Sequence, residues 1–268
     1  MDYFRFMIRK EIDNMRKSKL ILLCIIVQVM LIICVTLANI NPIPMLYFIF
    51  YNLAYGIIFS FLVPLYCLHK EKGMASSVGI KRLGVRQFAV LIAFVAFSIG
   101  GQLIPMILAG KEIPWHLLPM GIVPLIMTTF FEEFLFRGFV QGRVEQHFGW
   151  LSAIIISGMM FSLYHLGYPG FRNIGDILLL FAVGVGFASA YKLSGNNLFV
   201  SYFVNLPNAF VTYMLKHKQF PTMYLSSTIA ATITLTLVAQ VWSPMPGTRE
   251  RRGWLPAGAC KPVLGRTE

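Results

Sequence analysis

The sequence has few charged residues for its length. Charged side chains make up 13% of its 268 residues, against about 25% in ordinary soluble domains. Apolar side chains make up 57%, and the mean hydropathy is +0.68. A soluble domain of this length could not bury so much apolar surface, whereas a lipid bilayer can. The composition therefore excludes an ordinary soluble protein and predicts an integral membrane protein.

Cysteine is also scarce. The chain has four cysteines and no Cys-x-x-Cys pair, so the spacing indicates neither a metal site nor a disulfide framework. Our expectation of no metal and no cofactor rests on the motifs and not on the cysteines.

Long apolar runs are what the sequence does have. A bilayer-spanning helix needs about 17–25 such residues, and about eight runs come close to that length. They are 20–38, 45–68, 88–109, 117–136, 150–166, 177–193, 198–215 and 223–242. The sequence therefore predicts an all-α, polytopic transmembrane helix bundle of about eight spans.

The basic residues are distributed unevenly between the two sides of this bundle. If all eight runs span, 19 of the 23 Lys and Arg residues lie on the side that holds both termini. The positive-inside rule makes that side cytoplasmic, with a contribution from anionic headgroups. The net charge of +12 is thus an orientation signal, and we expect contact with the bilayer and none with nucleic acid.

The chain divides into three parts. Residues 1–87 form an amphipathic N-terminus, two predicted transmembrane helices and a basic, glycine-containing linker. Residues 88–242 form the part that carries the chemical motifs. Residues 243–268 form a polar tail, rich in proline and glycine, that we predict to be disordered.

Two adjacent carboxylates, Glu132 and Glu133, end the fourth apolar run. Ionisable residues are costly inside a membrane and mark functional sites there. On a helix, Glu133 faces Arg137 four residues later and can pair with it. Glu132 is turned away by about 100°, and an unpaired, partly desolvated carboxylate is suited to accept a proton from water. The alternative is that both glutamates are interface residues extending towards the headgroups.

His165 ends the fifth apolar run. A histidine and a glutamate together can activate water, so the two signals support each other. The alternative is a histidine that only packs at the membrane interface.

Two amides, Asn205 and Asn208, lie three residues apart on the seventh run, after a turn at Gly195. Their side chains could face a central cavity. The alternative is hydrogen bonding between helices, which such residues commonly provide in membranes.

These motifs resemble those of the CPBP intramembrane proteases, the family of the type II CAAX prenyl endopeptidases, also called the Abi family. The resemblance covers about residues 88–215. The matching positions are Glu132-Glu133-x-x-x-Arg137 with Gly138, Phe161-x-x-x-His165, and Gly195-Asn196-Asn197-Leu198.

The resemblance implies that Glu132 and His165 activate a water for attack on a peptide carbonyl. Glu133 and Arg137 would support the site, without a metal. One histidine with carboxylates also differs from the three protein ligands usual for catalytic zinc.

The third motif departs from the family pattern, which is His-x-x-x-Asn or Asp and is thought to bind the oxyanion. Alignment through residues 195–198 places Asn205 at the histidine position and Ala209 at the asparagine position. Asn205 can still donate a hydrogen bond, and Asn208 is a neighbouring candidate. Loss of one oxyanion donor costs about 10²–10³ in rate.

We therefore expect a metal-independent endopeptidase of a prokaryotic plasma membrane, acting on a peptide or a membrane-protein substrate. The alternative is a non-catalytic member of the family that binds a peptide or partner protein as an immunity or scaffold protein.

The charge asymmetry generates a prediction about topology. Reporter fusions at Met1 and Glu268 should both show cytoplasmic activity, because 19 of 23 basic residues lie on that side. A fusion reporting from the other side would mean that the number of spans is odd or that the orientation is reversed.

Overall fold

The computed structural model describes residues 2–41, 43–69, 73–170 and 173–215, without the side chains of residues 2–16 and Met120. The described part consists of helices joined by short turns, and it contains no strand. The helices are α1 (Asp2–Ile40), α2 (Pro44–Leu68), α3 (Met74–Ser77), α4 (Val85–Leu108), α5 (Leu118–Glu133), α6 (Gly142–Phe148), α7 (Trp150–Tyr164), α8 (Ile174–Leu193) and α9 (Leu198–Leu215).

Two stretches have π-helical hydrogen bonding, in which each N–H bonds five residues back. One is the centre of α2, Phe48–Leu62. The other, Phe134–Gln141, joins α5 directly to α6 and is buried along its whole length. Such turns are rare and occur often at functional sites, and this second π segment carries Arg137.

In the described part of the chain, six helices are long and apolar enough to cross a bilayer: Lys17–Ile40 of α1, then α2, α4, Trp150–Gly167, α8 and α9. The prediction of an all-helical integral membrane protein is confirmed. The predicted run 117–136 is not among the six. Its α-helical part, α5, has 16 residues and continues without a break into the π segment.

Three predictions about the ends of the chain have different outcomes. The predicted span 223–242 and the tail 243–268 lie outside the described residues, so the number of spans and the orientation stay predictions. The N-terminal stretch is the first part of the continuous helix α1, which leads into the first span.

One hydrophobic core runs through the bundle. It contains Leu31 of α1, Tyr55 of α2, Phe136 of the π segment, Phe161 of α7 and Val204 of α9. The N-terminal helices and the motif-bearing helices therefore pack together, although the division of the chain at residue 87 stays a prediction.

The linker after α2 packs on the turn between α8 and α9. The backbone N–H of Leu198 donates to the Gly79 carbonyl at 2.8 Å, and the Asn197 side chain donates to the carbonyls of Lys81 and Arg82 at 3.3 and 3.2 Å. Gly79 has φ +89°, and a Cβ there would lie 2.5 Å from the Asn196 carbonyl oxygen. These contacts fix the start of α9, which carries Asn205.

Helices α7 and α8 approach most closely at two glycines. A Cβ on Gly184 would lie 2.9 Å from the Gly158 carbonyl oxygen, and a Cβ on Gly158 would lie 2.8 Å from a Val185 methyl group. Small residues at a membrane helix crossing allow the backbones to come together in this way.

This crossing generates the second prediction. Gly184→Ala should destabilise the protein by about 1–3 kcal/mol, because the new methyl group meets backbone that cannot move aside easily. Thermal unfolding in detergent measures the effect. Gly170→Ala is the control, because no atom of the described residues lies within 4 Å of a Cβ at that position. Equal unfolding temperatures for the two variants would contradict the close packing.

Candidate active site

The two adjacent glutamates lie inside the bundle, where α5 passes into the π segment. Glu132 is 7% exposed and Glu133 is 0% exposed. The interpretation of both as interface residues extending towards headgroups is therefore wrong, because the surrounding helices cover them.

Glu133 pairs with Arg137, as the spacing predicts. The Arg137 Nη1 atom lies 3.1 Å from Glu133 Oε1, and both side chains are fully buried. Arg137 Nη2 donates to the Gly184 carbonyl at 2.9 Å, at the close crossing of α7 and α8. The ion pair thus joins the π segment to α8 through a main-chain oxygen.

Aromatic rings surround the guanidinium of Arg137. Its central carbon lies 4.8 Å from the ring centre of Phe161 and 5.4 Å from that of Phe187. Cation–π attraction strengthens when water is excluded, so these rings stabilise the charge that Glu133 neutralises. Phe161 is the first residue of the Phe-x-x-x-His motif, and this contact gives it a physical role.

Among the described residues Glu132 forms no ion pair, and neutral donors hold it instead. The Tyr164 hydroxyl donates to Glu132 Oε1, and the Tyr55 hydroxyl lies 3.5 Å from the same oxygen. The Asn205 amide donates to Glu132 Oε2 at 3.2 Å. The carboxylate is thus fixed by groups from α2, α7 and α9.

Asn205 connects the two carboxylates. Its Nδ2 donates to Glu133 Oε1 at 2.8 Å as well as to Glu132. An amide nitrogen has two protons, so both are used in this arrangement. Asn205 therefore contacts both glutamates, and its role in a catalytic site stays a prediction.

His165 lies beside the same cluster, half-buried in the single 3₁₀ turn that follows α7. Its ring centre is 4.1 Å from that of Tyr164. Its Nδ1 lies 2.8 Å from the Phe161 carbonyl oxygen. Because a carbonyl only accepts hydrogen bonds, Nδ1 carries the proton of the neutral ring, and Nε2 is left as the basic nitrogen.

Asn208 is not part of this cluster. Its Oδ1 accepts hydrogen bonds from Ser98 at 2.9 Å and from Gln102 at 2.5 Å, both on α4. Thr212 donates to Gln102 at 3.0 Å. For Asn208 the structure therefore shows the alternative interpretation, hydrogen bonding between helices.

Tyr55 and Tyr164 were missed by the sequence reasoning. Two signals were available: Tyr164 directly precedes His165, and Tyr47, Tyr51 and Tyr55 repeat at intervals of four along an apolar run. Their rings stack at 5.1 Å in each step. The repeat indicates one helix face, but the sequence does not say what that face contacts.

Within the described ranges, no group of three His, Cys, Asp or Glu side chains is arranged to hold a metal ion. Metal independence stays a prediction.

Apolar spanning helices around a buried pair of carboxylates define an integral membrane protein with a polar site inside its bundle. Residues 114–211 match the Rce1-like family model of type II CAAX prenyl endopeptidases. This segment contains all five predicted site residues, and it confirms the resemblance to that family of intramembrane endopeptidases. A comparison with curated proteins found no match to the chain.

The buried ion pair generates the third prediction. Arg137→Met should cost about 3–5 kcal/mol of stability, because it leaves the buried Glu133 without its cation. The double variant Glu133→Gln, Arg137→Met removes both charges and should recover part of that loss. Thermal unfolding in detergent measures both, with the exposed Arg86→Met as control. A single variant as stable as the unmodified protein would contradict the importance of the pair.

Proposed function

We propose that this chain is a metal-independent intramembrane endopeptidase in which Glu132 and His165 activate a water to hydrolyse a peptide bond. The observation that carries the proposal is the contrast between the two glutamates. Glu133 is neutralised by Arg137 at 3.1 Å, whereas Glu132 is held by two tyrosine hydroxyls and an amide. A carboxylate fixed by neutral donors retains its capacity to accept a proton.

In the reaction, Glu132 takes a proton from water as the water oxygen bonds to the peptide carbonyl carbon. The resulting tetrahedral intermediate carries the negative charge on the former carbonyl oxygen. Glu132 then gives its proton to the peptide nitrogen as the C–N bond breaks, which yields a carboxylic acid and an amine. The unprotonated Nε2 of His165 accepts a hydrogen bond from the water. It thereby orients the water and assists the transfer of the other water proton to Glu132.

The ion pair between Glu133 and Arg137 keeps the charge of the site low. Two ionised carboxylates side by side would repel each other and favour protonation of one of them. Because Arg137 cancels the charge of Glu133, Glu132 remains available as the base.

Asn205 changes partner during the reaction in this proposal. Hydrogen bonds to a charged acceptor are the stronger ones. Once Glu132 is protonated, the negative charge has moved to the substrate oxygen, so the Asn205 amide gains by donating to that oxygen. This single amide then provides part of the stabilisation that the family motif divides between two residues.

The substrate class follows from the bilayer and the chemistry. We propose a peptide or membrane-protein chain cut near the cytoplasmic surface of a prokaryotic plasma membrane, with both termini of the enzyme on that side. Nothing in the site requires a prenylated substrate.

Glu132→Gln tests the proposal and is the fourth prediction. It keeps the shape of the side chain, with the amide oxygen accepting from Asn205 and the amide nitrogen donating to the Tyr164 hydroxyl oxygen, but it removes the base. Cleavage should therefore fall by at least about 10²-fold while thermal unfolding stays close to that of the unmodified protein. Mass spectrometry of membrane peptides from cells with the protein, without it and with the variant would identify new termini. Termini that persist with Glu132→Gln would contradict the assignment of the base.

A non-catalytic member that binds a peptide or a partner protein is the second candidate. Two observations favour it: Ala209 occupies the position of a family oxyanion donor, and both Asn205 amide protons are used by carboxylates. In that case no Glu132-dependent termini appear, and Glu132→Gln leaves the cellular phenotype unchanged.

A further inference from the structure

Tyr164 makes the closest contact to the proposed base. Its hydroxyl donates to Glu132 Oε1, and its side chain is 1% exposed. The ring stacks between Tyr55 and Phe136, with ring centres 5.6 and 5.5 Å away and planes within 25° of parallel. A ring packed on both faces holds its hydroxyl in one place.

The acceptor sites of Glu132 can be counted. An ionised carboxylate offers about four lone-pair sites. Tyr164 and Tyr55 share Oε1, and Asn205 takes one site on Oε2. About one site remains, on the oxygen that Asn205 also contacts. A water that binds this carboxylate therefore has one lone-pair site available, on Oε2.

Tyr164 also connects the base to the histidine. It directly precedes His165 in the chain, and the two ring centres are 4.1 Å apart. A shift of the last turn of α7 would therefore move the histidine and the donor to Glu132 together.

We infer that Tyr164 is a positioning residue for the hydrolysis, an inference that rests on the proposed function. It turns the Glu132 carboxylate so that the remaining lone pair on Oε2 faces the attacking water, and it stabilises the ionised form that accepts the proton. The family motif contains only the phenylalanine and histidine on either side of this position.

The Tyr164 hydroxyl should affect the pH dependence of the proposed hydrolysis. A hydrogen bond donated to a carboxylate favours its ionised form, so a carboxylate that loses the bond is protonated at a higher pH. The other charged and titratable groups near Glu132 are Glu133 of α5, Arg137 of the π segment, and Tyr51 and Tyr55 of α2, with His165 and Tyr168 after α7. The neutral amide of Asn205 on α9 also contacts it. Tyr164→Phe leaves all of them in place.

The experiment is the fifth prediction and compares pH profiles of kcat/KM for the full-length protein in detergent, on a peptide identified from its membrane products. Tyr164→Phe keeps the stacked ring and removes the hydroxyl. Its acid limb should move to higher pH by roughly one unit, with kcat lowered more than KM is raised. Tyr55→Phe should move the limb less, because its hydroxyl is 3.5 Å from the carboxylate.

Tyr51→Phe is the matched control. It removes a hydroxyl that bonds to Tyr168 at 2.7 Å and keeps a ring that stacks on Tyr55 at 5.1 Å. Its acid limb should stay where it is. If Tyr164→Phe does not fold, 3,5-difluorotyrosine at position 164 provides a stronger donor of the same shape, and the limb should then move to lower pH.

The outcomes separate the two proposals. A shift with Tyr164→Phe and none with Tyr51→Phe supports the positioning role. Cleavage that depends on Glu132 but shows an unmoved acid limb in Tyr164→Phe, or in the fluorinated protein, overturns this inference and leaves the proposed function intact. Cleavage that does not depend on Glu132 overturns both.

Discussion

The structure of the site depends on neutralising one buried carboxylate. Glu133 is completely enclosed, and an unpaired charge there would cost several kcal/mol. Arg137 meets this need only because its guanidinium is anchored by the Gly184 carbonyl and by aromatic rings from α7 and α8. Three features contribute to neutralising Glu133: the close helix crossing at Gly158 and Gly184, the π segment, and Phe161 of the second motif.

With that charge cancelled, the neighbouring carboxylate is available for the role that we propose for it. Glu132 differs from Glu133 by one position and thus by its direction on the helix, which places it among hydroxyl and amide donors from three other helices. The linker packed on the turn before α9 fixes the position of Asn205, so a segment outside the apolar bundle contributes to the geometry inside it. Adjacent residues of the same type thereby acquire different roles.

Sequence reasoning predicted the contact between residues four apart on one helix. It did not predict which side chains of different helices contact each other at Tyr55 and Asn208. The four-residue spacing was enough to pair Glu133 with Arg137, and apolar length was enough for the helical membrane fold. The same reasoning could not tell that Tyr55 faces Glu132 while Asn208 faces Ser98, because the rotation of each helix is set by packing against its neighbours. It also treated 117–136 as a regular span, although the local polarity of the glutamates comes with a change to π-helical geometry.

The contacts that hold the two carboxylates also differ in how easily a single substitution removes them. One anchor of Arg137 is a main-chain oxygen, which every amino acid at position 184 would retain, so substitution at that position threatens it only through residue size. The supports of Glu132 are three side chains, and each can be lost by a single substitution. During evolution, the ion pair between Glu133 and Arg137 should therefore persist longer than the side-chain contacts that hold Glu132. A family with this architecture would be expected to produce folded descendants that have lost the reaction.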